Sequence, residues 1–314
     1  MNEKQKNNEL AKAIYSAVAY FDIFDYPLTL EEIWQNLYFE TPPEKKFLAS
    51  EVLAELENNK KLKKLIDGKN GFYFFSGRKK IIETRFWRYG SAEKKYRRAL
   101  KIAKIFKFVP FVEMIAICNS LAFANSRDNS DIDFFIIGKK NRLWLTRLLS
   151  VAVIKFLNLR PKPNNTKNKI CLSFFISEEV LNLEKIAYPD DIHFQFWLNQ
   201  IYPLYARVEI YQKFSQASRW SKSKLPNLST PLPNLKRKIK SAQFNFLNFL
   251  NWGIFDFLET LAKFFEMKIL PAYLKNIANL NGRVIVNDQI LKFHPRDRRL
   301  EYKELFLKKV ALFE

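Results

Sequence analysis

The stretch NSLAFANSRDNSDIDFFII, Asn119 to Ile137, decides how the rest of the chain is read. Its second half is an apolar run opened by Asp131 and Asp133. On a strand, residues two apart point to the same face, so the two carboxylates converge on one point. Adjacent carboxylates repel, and a hard divalent cation is a natural way to stabilise them. The loop before them is rich in small polar residues: Asn119, Ser120, Asn125, Ser126, Asn129 and Ser130. Their donors can hold phosphate oxygens. Taken alone, paired aspartates at a strand start are equally the turn formers and caps of an ordinary loop. Arg127, Lys139, Lys140 and Arg142 flank the stretch and either neutralise phosphate or are simply solvated.

Outward from this stretch, apolar runs predict a strand over 112–118 and another over 131–137. A helix over 141–158 and a strand over 169–176 follow, with Pro161 and Pro163 marking the loop between them. Upstream, Leu10, Ile14, Ala17, Val18 and Phe21 recur at helical spacing. Thr29 with Glu32, and Thr41 with Glu44, are capping-box pairs, and a third helix runs to about Asn59. LKKLI, DGKN and GFYFFS then read as a β-hairpin. The expected fold class is α+β: a winged-helix-like domain over 1–80, a linker helix over 81–110, a sheet-containing domain over 111–200, and a helical region over 201–314. The proline-bearing segment 221–234 is the linker candidate. The third helix carries Glu44, Glu51, Glu55 and Glu57, which oppose approach to phosphates, so the first domain is read as a protein-contact or substrate-positioning module rather than a DNA reader.

The linker helix interleaves Phe86, Trp87, Tyr89 and Tyr96 with Arg85, Arg88, Lys94, Lys95, Arg97 and Arg98. Such a pattern suits single-stranded nucleic acid, but the favoured reading is one packed and one solvated face, with a kink at Gly90. The chain has 314 residues, with 53 Lys plus Arg against 32 Asp plus Glu, a net charge of +21. That excess either attracts polyanions, nucleotides and nucleic acids among them, or is simply the solvated surface of a chain rich in Lys, Asn and Phe. Cys118 and Cys171 lie in apolar runs and read as buried free thiols of a cytoplasmic protein. His193 and His294 are too far from them in sequence for a structural zinc motif. No charge-free run reaches bilayer length, so no membrane partner is expected.

Asn119-Ser120, ten residues, then Asp131-Ile132-Asp133 resembles the signature of the DNA polymerase beta-like nucleotidyltransferase superfamily, particularly its small bacterial members: Gly-Ser, ten residues, Asp-x-Asp. The resemblance covers residues 100–180. It implies metal-dependent transfer of a nucleoside monophosphate from a nucleoside triphosphate to an acceptor hydroxyl, with the acceptor unspecified. Ser120, with Asn119, Ser130 and Arg127, would hold the nucleotide, and Asp131 and Asp133 would be catalytic through Mg2+ or Mn2+. Two departures are visible. Asn119 replaces the family's glycine, and the later strand KICLSFFIS offers Ser173 where the family often places a third carboxylate. The alternative is a domain that keeps the fold without transfer activity and serves as a regulatory or nucleic-acid-binding module.

Overall fold

The computed structural model describes residues 3–43, 46–228 and 252–313, and its fold is α+β. At the N-terminus come α1 (Glu3–Asp22), β1 (Leu28–Thr29), α2 (Leu30–Gln35), α3 (Ala49–Asn58), α4 (Lys60–Leu65), β2 (Ile66–Lys69) and β3 (Phe72–Phe75). The three strands form an antiparallel sheet in the order β1-β3-β2. The Thr29–Glu32 capping box is present: Thr29 Oγ1 accepts from the Glu32 amide, and Glu32 Oε2 accepts from the Thr29 amide at 2.8 Å. The second cap, at Thr41 and Glu44, falls partly outside the described residues, and α3 begins later, at Ala49. LKKLI, expected as strand, is mostly helix. Asn59 accepts from the amides of Lys61 and Leu62, and this cap nucleates α4 before the hairpin begins at Ile66. The hairpin turns through Asn70 and Gly71, both at positive φ, as its Asn-Gly pair predicts.

Helix α5 (Ile81–Phe106) runs without interruption through Gly90. Beyond it stand β4 (Val112–Ile117), the single turn α6 (Asn119–Ala122), β5 (Ile132–Gly138), α7 (Leu143–Phe156), β6 (Ile170–Ser177), α8 (Ile192–Gln200), β7 (Tyr202–Ala206) and α9 (Val208–Ala217). After the undescribed residues come α10 (Trp252–Ile269), α11 (Ala272–Ile277), β8 (Val284–Val286), β9 (Ile290–Phe293) and α12 (Arg299–Val310). Six strands form one sheet in the order β7-β4-β5-β6-β9-β8, parallel only between β5 and β6. The region beyond 200, expected to be helical, therefore contributes three strands to the main sheet.

Alternation along the strands divides the core. Ile115, Ile117, Phe134 and Ile136 pack with α5 and α7, whereas Met114, Ala116, Phe135 and Ile137 pack with α8 and α9. Each fully buried Ile, Met or Phe among these contributes about 1.5–3 kcal/mol. Helix α10 covers α7 through its acidic residues. Glu259 accepts from the amides of Trp144 and Leu145 at the start of α7, Asp256 pairs with Arg142, and Glu266 pairs with Arg147. Those amides have no partner within their own helix, so the carboxylate both caps and orients α7.

The first 80 residues do not close a core by themselves. Ile192, Phe196, Leu225, Phe306, Val310 and Phe313 pack into the cluster built on α1. Tyr15 donates to the Lys309 carbonyl, and Lys309 reaches Asp22 at 2.7 Å. The described part of the expected linker is also packed: Leu225 is buried, and Asn227 donates to the Phe47 carbonyl. Residues 229–234 of that linker lie outside the described residues. Three arginines from and just before α5 lock the other side. Arg78 pairs with Asp22 and Asp25, Arg85 chelates Glu32, and Arg88 pairs with Asp25.

Candidate metal and nucleotide site

β4 carries the chain into the core, and Asn119 turns it with φ of 56°. This is the left-handed region, where glycine is free and asparagine is the side chain that adapts best. The departure from glycine therefore keeps the backbone turn and adds an amide. Asn119 Oδ1 accepts from Trp197 Nε1 of α8 at 2.8 Å, and the same side chain hydrogen-bonds Asp133. Asn119 is thereby a strut between α8 and the aspartate pair. Ser120 is half-buried, and its carbonyl accepts from the Asn125 amide at 2.8 Å, closing the α6 turn.

The loop to Asp131 is tied down mostly by itself and by α5. Ser130 Oγ donates to the Arg127 carbonyl and lies 2.9 Å from Ser126 Oγ, so this hydroxyl, expected at the nucleotide, is engaged in shaping the loop. Lys95, expected on a basic helical face, is 1% exposed. Its ammonium donates to the carbonyls of Asp128 and Ser130 and to Asn168 Oδ1, at 3.1, 2.6 and 3.0 Å. A buried ammonium requires such a complete set of acceptors. Burial lowers the Lys95 pKa, and Asp128 and Asp131 oppose that shift.

Asp131 and Asp133 do share one side of the sheet, and Cys171 joins them. A carboxylate oxygen of each aspartate and Cys171 Sγ lie within 4.8 Å of one another. The register explains the third member, because Asp133 is paired with Cys171 across the parallel β5–β6 ladder. Cys171 is a free thiol, as expected, but it is half-buried and not fully buried, and it faces the carboxylates. Ser173, expected at the third-acid position, stands one pair further along β6 and bonds His294 Nε2 at 2.8 Å. Glu178 and Glu179 sit at the far end of β6, where they engage Lys140. Lys139, Lys140 and Arg142 lie beyond the C-terminal end of β5, about 20 Å from Asp133 at strand rise, and do not join the site.

Charge is costly here. Burial, reinforced by Asp131, pushes the Asp133 carboxyl up to about 7, while its hydrogen bonds to Asn119 and Cys171 hold it down. Burial also raises Asp131, against the pull of Lys95. The thiols of Cys171 and Cys118 are raised by burial and by the aspartates. A bound cation would reverse this by stabilising all the charged forms together.

Behind the Asn119–Trp197 strut is a cavity of about 70 Å³, lined in part by His193, Lys292, His294, Asp297 and Arg299. Lys292 pairs with Asp297 at 2.6 Å, and Arg299 pairs with Asp297 and Asp191. Burial holds both imidazoles neutral, at about 4. His193 is accordingly a satisfied helix residue, its Nδ1 bonded to Tyr20 at 3.0 Å. Among the described residues no helix is long and apolar enough to cross a membrane. No protein-family model, curated protein or solved structure matches the chain.

Proposed function

We propose that the chain is a metal-dependent nucleotidyltransferase that moves a nucleoside monophosphate from a nucleoside triphosphate to an acceptor hydroxyl. The observation that carries this reading is the convergence of Asp131, Asp133 and Cys171 within 4.8 Å, beside the Asn119–Ser120 turn. The donor set fits a divalent cation: two hard oxygens and one softer sulfur at separations that one ion can span. Mg2+ or Mn2+ held there would polarise the α-phosphate and offset the charge that develops as pyrophosphate leaves. The two aspartates would supply the ligands. Asn119 orients Asp133, and Lys95 holds the Asp128–Ser130 loop so that Asp131 enters the site in a fixed direction. Ser120 and the exposed Arg127 are the groups left to meet the triphosphate. The N-terminal unit, with its three-stranded sheet and acidic α3, serves as a winged-helix-like contact module.

Calorimetric titration with a nonhydrolysable nucleoside triphosphate, with and without magnesium, tests the reading. Asp133→Ala should abolish the magnesium-dependent part of binding, while Ser173→Ala should leave it nearly intact. Equal metal-dependent affinity in wild type and Asp133→Ala would remove the proposal's support. The second reading, a nucleotide-binding regulator without transfer activity, is favoured by one observation: a thiol stands at the strand position beside Asp133 from which a third carboxylate would project.

A further inference from the structure

Helix α5 presents a continuous exposed stripe. Phe86, Trp87, Gly90, Lys94, Arg97, Lys101 and Lys104 are all exposed; from Trp87 on they recur every three or four residues, and all seven lie within about 100° of arc. Ordinary amphipathic packing would bury the aromatic residues and solvate the basic ones. From its start to Lys95, α5 does the opposite. Arg85, Arg88 and Lys95 are turned inward onto carboxylates and carbonyls. Phe86 and Trp87 are each 60% exposed. Gly90 interrupts the stripe where an added Cβ would meet nothing within 4 Å, so packing does not require a glycine there. Its effect is a gap in the side-chain wall beside Trp87, at a cost of about 1 kcal/mol in helix stability. The four cations further along make no ion pair among the described residues.

At the edge of this stripe lies an open cleft of about 640 Å³, formed by Glu83, Thr84, Trp87 and Arg88 with Arg127, Asp128 and Asn129. Its size is that of a pocket for one small organic group such as a nucleoside. Glu83, Thr84 and Asn129 offer the edges of a base both donors and acceptors, and Trp87 offers a stacking face. The wall at 127–129 belongs to the loop that enters Asp131. Along the helix axis, Trp87 stands about 12 Å from Lys95, the residue that anchors this loop.

We infer that this face of α5 binds single-stranded nucleic acid: a base stacks on Trp87 in the cleft, and the backbone runs along Lys94, Arg97, Lys101 and Lys104. Charge complementarity selects a polyanion, and an exposed aromatic residue beside a base-sized cleft selects unpaired bases over a duplex. Resting on the proposed transferase reading, this names the acceptor class: the hydroxyl end of a single strand. The polynucleotide interaction itself requires neither metal nor triphosphate.

The test is fluorescence anisotropy of the full chain with labelled oligouridylate and oligothymidylate of roughly ten nucleotides, free of metal and nucleotide, over a salt series. Trp87→Ala should weaken binding roughly tenfold, and Trp87→Phe should restore most of it. Replacing Lys94, Arg97, Lys101 and Lys104 together by Gln should lower the salt slope by about 3. The same number of exposed cations removed elsewhere, at Lys185, Lys213, Arg296 and Lys308, should change it little. Binding of either single strand supports the inference. Unchanged affinity in Trp87→Ala, equal effects of the two charge-removal variants, or duplex binding as tight as single-strand binding would overturn it. The binding is read without metal or nucleotide, so failure of the transferase reading leaves this result standing.

Discussion

Substituting Asp133 by Asn removes a charge that the folded apo protein holds at a cost. The carboxyl ordinarily titrates near 3.8 and is pushed up to about 7 in the fold. An acid whose folded pKa is raised makes the folded state bind the extra proton. Its penalty is therefore absent below about pH 4, grows as pH rises through the window from about 4 to about 7, and is complete above it. A shift of about three units corresponds to about 4 kcal/mol. Asn keeps the volume and an acceptor oxygen for Asn119. In chelator, Asp133→Asn should melt above wild type by about 8 °C at pH 8, taking about 2 °C per kcal/mol for a large domain, and the two should coincide at pH 4. Magnesium or manganese should close the gap at pH 8 by stabilising wild type alone. Differential scanning calorimetry across pH reads all three quantities. A variant destabilised by the same amount at every pH would refute the argument, because Asp133 would then be a structural cap whose hydrogen bonds outweigh its desolvation.

Lys95→Met should destabilise the chain by about 3 kcal/mol, since three carbonyl-type acceptors lose a buried cationic donor; urea denaturation measures it, and loss below 1 kcal/mol would mean the loop is held elsewhere. Asn119→Gly should keep the turn but lose the Trp197 and Asp133 bonds, whereas Asn119→Ala should add roughly 1–2 kcal/mol of left-handed strain. Equal melting of the two variants would show that the side chain, not the backbone, dominates. Cys171→Asp should raise magnesium affinity roughly tenfold or more by calorimetry, as a third hard, charged ligand replaces a thiol. No change would place Cys171 outside the coordination sphere.

The elements that sequence periodicity located are those whose residues explain themselves locally. DIDFFII is an apolar run of strand length opened by two aspartates, and the Thr29–Glu32 pair announces its own helix. What was not legible depends on partners distant in sequence. VIV of β8 and ILKF of β9 are too short to show a period, and become strands only because β6 offers β9 an open edge. Lys95 looks like any lysine on a basic helix until the loop at 128–130 and Asn168 fold over it. Cys171 reads as a buried thiol because its apolar neighbours in sequence are obvious and its pairing with Asp133 is not. The same holds for the aromatic residues of α5: their pattern was visible, but which face they take is set by arginines that must meet Asp25 and Glu32.

The contact between α1 and α12 sets a timetable for synthesis. Tyr15 and the Lys309 carbonyl it bonds are 294 residues apart. At about 5–20 residues per second, α1 leaves the ribosome roughly 15 to 60 s before its partner exists. Over that interval Ile14, Val18 and Phe21 can pack with α2, α3 and the hairpin, but the surface later covered by Phe306, Val310 and Phe313 stays open. The core built on α1 is therefore closed only once α12 has been made, and the nascent chain carries an adhesive apolar face throughout that interval.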